Sequence, residues 1–293
     1  MSDRNNEERF GAPAQPPPAA APTPTTDTYP AQHAAPAAFQ VPTELVDLPS
    51  GGKFYPQGHP LHEKATVEIK YMTAKEEDIL TNVSLIKKGV VLDRLLHSVM
   101  LNNLNPEDLL IGDKNALLVA ARVTGYGSDY DTRVTCPSCT VSSEYTFDLS
   151  NVTEPEDSME FMMELHKAQL TNNGTFLITL PKTGIQVEVR PMNGHDEKKL
   201  VKWAEKKRKN KMDESPVTDQ MKTYIVSVSG NDDRVYVNSF VDTMPAIDAR
   251  SLRLAYSKLV PDINLNQQFD CPNCGQESRM EVQVNTDFFW PGR

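Results

Sequence analysis

Four cysteines are the side chains whose type and spacing define a chemistry in this sequence. They stand in two pairs, Cys136-Pro137-Ser138-Cys139 and Cys271-Pro272-Asn273-Cys274, and they are all the cysteines of the 293-residue chain. A Cys-x-x-Cys turn presents two thiolates on one side of a tight knuckle, half of the tetrahedral shell that zinc prefers. Two knuckles complete the shell. A catalytic zinc keeps one position open for water or substrate, and four thiolates leave none, so the expected zinc is structural. Nearly half the length of the chain separates the pairs, much more than in a compact zinc ribbon. Three other chemistries share the motif. A rubredoxin-type iron site uses similar turns. A redox-active Cys-x-x-Cys needs the pair to open a helix after a strand, and neither pair does so. Disulfides or free thiols are the remaining alternative, disfavoured in a reducing compartment.

No second constellation stands beside the cysteines. His97 lies one residue past the apolar face of a helix and His195 in a helix-start turn, each without a partner acid or nucleophile visible in the sequence. No serine sits in a Gly-x-Ser-x-Gly elbow. Pro49-Ser50-Gly51-Gly52 lacks the Gly-Lys-Ser/Thr ending of a phosphate-binding loop and reads as a turn. Lys198-Lys199 and Lys206-Lys207-Arg208-Lys209-Asn210-Lys211 read as a solvated helix face, with contact to an acidic protein as the sharper alternative. Phe288-Phe289-Trp290-Pro291 either packs on the core or docks into a neighbouring subunit.

The elements that would carry the knuckles follow from periodicity. Thr66-Val67-Glu68-Ile69-Lys70-Tyr71-Met72 alternates as a half-buried strand. Thr73-Ala74-Lys75-Glu76 then has the form of a capping box, in which hydroxyl and carboxylate satisfy free amides at a helix start. Leu92, Leu95, Leu96 and Val99 line one face of a second helix. Asp113 is placed to cap a third, residues 114–123, which stops at Gly125-Tyr126-Gly127. An acidic, Met-rich stretch, residues 154–166, reads as a linker helix. Phe176-Leu177-Ile178-Thr179-Leu180 and Ile185-Gln186-Val187-Glu188-Val189 flank Pro181-Lys182-Thr183-Gly184 as a β-hairpin. After each knuckle comes a strand-like segment, Glu144-Tyr145-Thr146-Phe147-Asp148-Leu149 and Arg279-Met280-Glu281-Val282-Gln283-Val284.

The pattern repeats within the chain. Val67-Glu68-Ile69-Lys70-Tyr71-Met72 matches Val187-Glu188-Val189-Arg190-Pro191-Met192, and Thr73 with Glu76 matches Asn193 with Asp196 at the same offset. Farther on, Asp113 matches Asp248, Leu117 matches Leu252, and the first knuckle matches the second, all three at one larger offset. The larger offset implies an insertion in the second copy between Trp203 and Ser239. Equivalent hairpins of two repeats can meet across a pseudo-two-fold axis, which would bring the distant pairs together. The expected fold is therefore α+β. Two tandem repeats, each of β-strand, helices and a Cys-Pro-x-Cys hairpin, are joined by a four-cysteine zinc ribbon. The expected boundaries are a disordered Pro/Ala-rich tail at residues 1–44, repeat 1 at 45–150, a linker at 151–174 and repeat 2 at 175–293.

Composition narrows the function. A net charge of −10 opposes nonspecific nucleic-acid binding, which rests on neutralising phosphates. No apolar run reaches the roughly 18–20 residues of a membrane span. The N-terminus lacks the apolar core of a secretory signal, so a cytoplasmic location is expected.

Several segments together resemble the baseplate hub protein family of contractile-tailed, T-even-like bacteriophages. They are Leu48-Pro49-Ser50-Gly51-Gly52-Lys53-Phe54-Tyr55-Pro56, Met72-Thr73-Ala74-Lys75-Glu76-Glu77-Asp78-Ile79-Leu80-Thr81-Asn82 and Leu109-Leu110-Ile111-Gly112-Asp113-Lys114-Asn115-Ala116-Leu117-Leu118. Arg122-Val123-Thr124-Gly125-Tyr126-Gly127 and the first knuckle complete the likeness. It spans residues 45–149, and more loosely the second half. The resemblance implies a non-catalytic component of the tail baseplate, located in the host cytoplasm during assembly and then in the virion. Its partners would be other phage tail proteins, with no nucleic acid, membrane or small-molecule substrate. Zinc is read from this sequence and not from the family, some of whose members have incomplete knuckles. The alternatives are a redox or metal-dependent enzyme using the paired motifs, and a nucleic-acid-binding zinc ribbon.

Overall fold

The structure is a computed structural model that describes residues 40–102, 104–151 and 158–289. From Val41 onward the chain forms one compact unit. The expected tail falls almost wholly on residues 1–39, outside the described ones. The architecture is α+β. In chain order the elements are β1 (Thr43–Asp47), β2 (Thr66–Lys70), α1 (Ala74–Leu80), α2 (Val83–Lys87), α3 (Val91–Val99), α4 (Ile111–Tyr126), β3 (Asp129–Thr135) and β4 (Ser142–Asp148). A short helix α5 (Met159–Leu165) and strand β5 (Ala168–Leu170) lead to β6 (Phe176–Thr179), β7 (Gln186–Val189), α6 (Gly194–Lys209), α7 (Pro216–Tyr224) and β8 (Ile225–Val228). The chain continues with α8 (Arg234–Thr243), α9 (Ala246–Leu259), β9 (Asn266–Asp270), β10 (Glu277–Glu281) and α10 (Thr286–Phe289).

All strand pairs are antiparallel: β1 with β2, β3 with β4, β9 with β10, and a four-stranded sheet ordered β5-β6-β7-β8. Period-two alternation sets which residues enter the core: Val67 and Ile69 from β2, Phe176 and Ile178 from β6, Val187 and Val189 from β7. Helix α3 turns Val91, Leu95, Leu96 and Val99 into the same core.

Both strand-to-helix junctions form as capping boxes, at Thr73 with Glu76 and at Asn193 with Asp196. Each capping acid also takes a cation from the end of the preceding strand. Lys70 Nζ lies 2.9 Å from Glu76, and the Arg190 guanidinium grips both oxygens of Asp196 at 2.6 and 2.8 Å. The two ion pairs are separated by the same offset as the strands they follow.

Asp113 differs from expectation. Helix α4 begins earlier, at Ile111, so Asp113 lies inside its first turn and is fully buried. Its carboxylate accepts hydrogen bonds from the Ser50 amide (3.0 Å), the Ser50 hydroxyl (2.6 Å) and the Tyr55 hydroxyl (2.7 Å). It therefore holds the turn after β1. Asp248 does the same for the β6–β7 turn, accepting from the amides of Lys182 (2.8 Å) and Thr183 (3.1 Å). Buried backbone donors need partners, and each of these two helices supplies one acid for this purpose.

The halves meet through backbone and charge. Ile111 N donates to Met192 O (3.1 Å), and Gly194 N donates to Leu109 O (3.1 Å). A Cβ at Gly194 would lie 2.8 Å from Glu107 Cα, so only glycine permits this approach. Phe288 and Phe289 pack inward, with Phe288 against Tyr130 at 5.1 Å between ring centroids. Core packing is thus the outcome for these two; Trp290 and Pro291 lie outside the described residues.

Candidate metal centre

Each cysteine pair sits at the tip of a hairpin, β3–β4 or β9–β10, and the two tips are built alike. Cys136 N donates to Val141 O at 3.0 Å and Thr140 N to Cys136 O at 3.0 Å. The same bonds recur at the second knuckle, Cys271 N to Gln276 O at 3.0 Å and Gly275 N to Cys271 O at 2.9 Å. Both turns close through the left-handed region, Thr140 at φ 59° and Gly275 at φ 69°. Glycine adopts that conformation freely, whereas β-branched threonine is strained there. No helix starts at either pair, in keeping with a knuckle and unlike a thioredoxin-type motif.

The structure brings all four predicted residues together. The Sγ atoms of Cys136, Cys139, Cys271 and Cys274 lie within 4.8 Å of one another, and no other group of this kind occurs among the described residues. Cys136 Sγ is 3.8 Å from Cys274 Sγ, and Cys139 Sγ is 3.7 Å from Cys271 Sγ. A disulfide would place sulfurs about 2.05 Å apart. Zinc–sulfur bonds of about 2.3 Å in a tetrahedron put sulfurs about 3.8 Å apart. These two separations match the edge of a metal–thiolate tetrahedron, all four sulfurs lie within 4.8 Å of one another, and the donor set fits the ion.

Neighbouring groups favour thiolate at some positions and oppose it at others. The Val141 amide, followed by the Asn273 side chain (Nδ2 to Sγ 3.6 Å), holds the Cys139 thiol down to about 6. The Cys274 amide, with that of Asn273, lowers Cys271. Cys274 receives the Gln276 amide, but burial and the three neighbouring thiols outweigh it and push it up to about 12. Four negative sulfurs in so small a volume repel one another, so full ionisation requires a cation among them. Beneath the cluster, Tyr145 packs on both Phe147 and Phe269, at 4.9 Å between centroids in each case. Gln267 Nε2 donates to Asp148 O across the two hairpins at 2.9 Å.

The family of T4 bacteriophage base plate proteins matches residues 41–290, most of the chain and both cysteine hairpins. The chain belongs to this family. No curated protein and no solved structure matches it. Membership in a baseplate family carries a structural phage role, with other phage tail proteins as partners. Among the described residues no helix is long and apolar enough to cross a membrane.

The remaining candidates of this baseplate protein resolve differently. His195 does have acids beside it, Glu107 at 3.1 Å and Asp108 at 2.7 Å, both from a turn far upstream in the chain. Lys198 bridges Glu107 (2.6 Å) and Asp93 (2.8 Å), and Lys114 bridges Asp93 (2.9 Å) and Glu197 (2.7 Å). This chain of charges ties α3, α4 and α6 together. His97 lines a 220 Å³ cavity beside it, together with Arg94 and Glu107. In the basic run, Lys207 pairs with Asp219 and Arg208 with Glu214, while Lys206, Lys209 and Lys211 are exposed without an ion pair among the described residues. Local periodicity held no signal for the acids around His195 or for the turn that Asp113 holds, since both depend on contacts far apart in the chain.

Proposed function

We propose that this baseplate-family protein is a non-catalytic subunit or assembly factor of the hub region of a contractile phage tail, clamped by one structural zinc. Cys136, Cys139, Cys271 and Cys274 are its ligands. The convergence of four sulfurs within 4.8 Å of one another, two pairs of them at the edge length of a tetrahedron, inside the family-matched region, carries this reading. In this reading zinc supplies no reaction. It neutralises the thiolates and fastens two hairpins, each too small to be stable alone. The two halves are a duplicated unit, supported by the paired capping boxes, the buried Asp113 and Asp248, and the matched knuckles. Residues around α6 and α7 make up the insertion of the second copy.

Mass spectrometry of purified phage tails and of tail assembly intermediates tests the role. The chain is expected in one or both. Its absence from both would contradict a baseplate function whatever the metal content.

A further inference from the structure

One surface of the body is apolar, charged in a complementary way, and left bare. Helix α5 packs against α9, yet both carry large apolar side chains in solvent: Phe161 (54% exposed) and Leu165 (59%) on α5, Ile247 (61%) and Leu254 (51%) on α9. Ile247 and Leu254 are two helical turns apart and share one face. At the offset that relates the two knuckles, their equivalents on α4 are Gly112 and Val119, and both are buried. Gly112 is covered so closely by Pro261 O that a Cβ would lie 2.1 Å from it. The face that is covered on α4 is open on α9.

Charge tells what would cover it. On α5 the exposed Glu160 and Glu164 flank the apolar pair, and on α9 the exposed Arg250 and Arg253 flank theirs. None of these four forms an ion pair among the described residues; Arg253 Nε reaches only the Ala249 carbonyl, at 3.4 Å. Acidic and basic apolar faces thus lie on adjacent helices without satisfying each other within one chain.

We propose that this face is a two-fold interface with a second copy of the chain. The acidic face of α5 in one copy seats on the basic face of α9 in the other, and the reverse contact forms at the same time. An isologous contact of this kind closes on itself as a dimer. The burial of four large apolar side chains per copy supplies the drive, and the charge pairs set the register. The inference stands apart from the metal and from the tail of the phage.

Sedimentation of the full chain across a wide concentration range tests it, with circular dichroism and zinc content confirming that each variant is folded. The expected species is a dimer that shifts to monomer on Leu254→Asp. It also shifts to monomer in the double variants Glu160→Arg with Glu164→Arg and Arg250→Glu with Arg253→Glu. Mixing the two double variants should restore a dimer, since both contacts are complementary again in the mixed pair. A wild-type chain that stays monomeric, a dimer indifferent to these changes, an open-ended polymer, or a mixture that stays monomeric would each overturn the proposal. Detection of the chain in phage tails is unaffected by any of these results.

Discussion

The four-stranded sheet β5–β8 and the two cysteine hairpins are both antiparallel β structure, but different forces hold them. The sheet buries Phe176, Ile178, Val187, Val189, Ile225 and Val228, each nearly or fully removed from water. Burial of one such side chain stabilises by about 1.5–3 kcal/mol, so the sheet supports itself on helices and core. The hairpins bury less. Strand β10 has no buried residue, β9 has Phe269, β4 has Phe147, and β3 has Tyr130 and Val134. Their tips instead bring four sulfurs together, at a point where the first and second halves of the chain meet. On the proposed reading, packing holds the core while one shared ion holds the two outlying hairpins.

The most direct way to break this contrast is Cys136→Ser, which removes one of the four proposed ligands. Structural zinc contributes about 10 kcal/mol or more to folding where it completes a site, so this is the largest effect expected here. Hydrogen exchange should show amides of residues 129–148 and 266–281 losing protection together, with residues 176–189 changing least. Equal loss in both regions would remove the distinction. The converse change, Phe176→Ala, should cost about 3–5 kcal/mol by leaving a cavity under the sheet. Denaturant melts would measure that loss, while the folded fraction keeps its full metal content.

Acid should act elsewhere, on the β2–α1 junction that lies outside both regions. Burial by itself would raise Glu76, but Lys70, Ser98 and Thr73 outweigh it and hold its carboxyl down to about 2. A group depressed in the folded state adds stability above its unfolded value of 4.5. That contribution, about 2 kcal/mol once solvent screening of the nearby Lys70 ammonium is allowed for, is lost as pH falls from the unfolded value toward the folded one. Glu76→Gln should flatten this part of the stability–pH curve. A variant with an unchanged acid slope would show that the junction does not carry it.

The smallest effect concerns the knuckle tips themselves. Gly275→Thr should destabilise by about 1 kcal/mol or somewhat more, since it places a β-branched residue in the left-handed region. Thr140→Gly removes that strain from the first tip and should bring the two hairpins closer in stability, as thermal melts of both variants would show.

Much of the site was legible because it rests on local chemistry that recurs along the chain, the capping boxes at one offset and the knuckles at a larger one. The Cys-Pro-x-Cys pairs, the two capping boxes and the leucine face of α3 each sit within a few residues, and the repeat supplied the long-range step that joins the cysteines. The equivalence of Asp113 and Asp248 was legible too, but their role was not. The expectation of a cap at Asp113 left out the turn it satisfies, which lies 63 residues away. The likeness of Leu48-Pro49-Ser50-Gly51-Gly52 to Leu180-Pro181-Lys182-Thr183-Gly184 was hidden for a related reason. A longer loop separates β1 from β2 than β6 from β7, so these turns fall outside the offset that aligns the strands. The acids beside His195 come from a turn that no periodicity connects to α6.

X-ray absorption at the zinc edge, combined with metal analysis of the purified full-length chain, tests the central claim most directly. One zinc per chain, surrounded by four sulfurs at about 2.3 Å, is the result expected. A chain without metal, a shell containing nitrogen or oxygen ligands, or iron in place of zinc would contradict it.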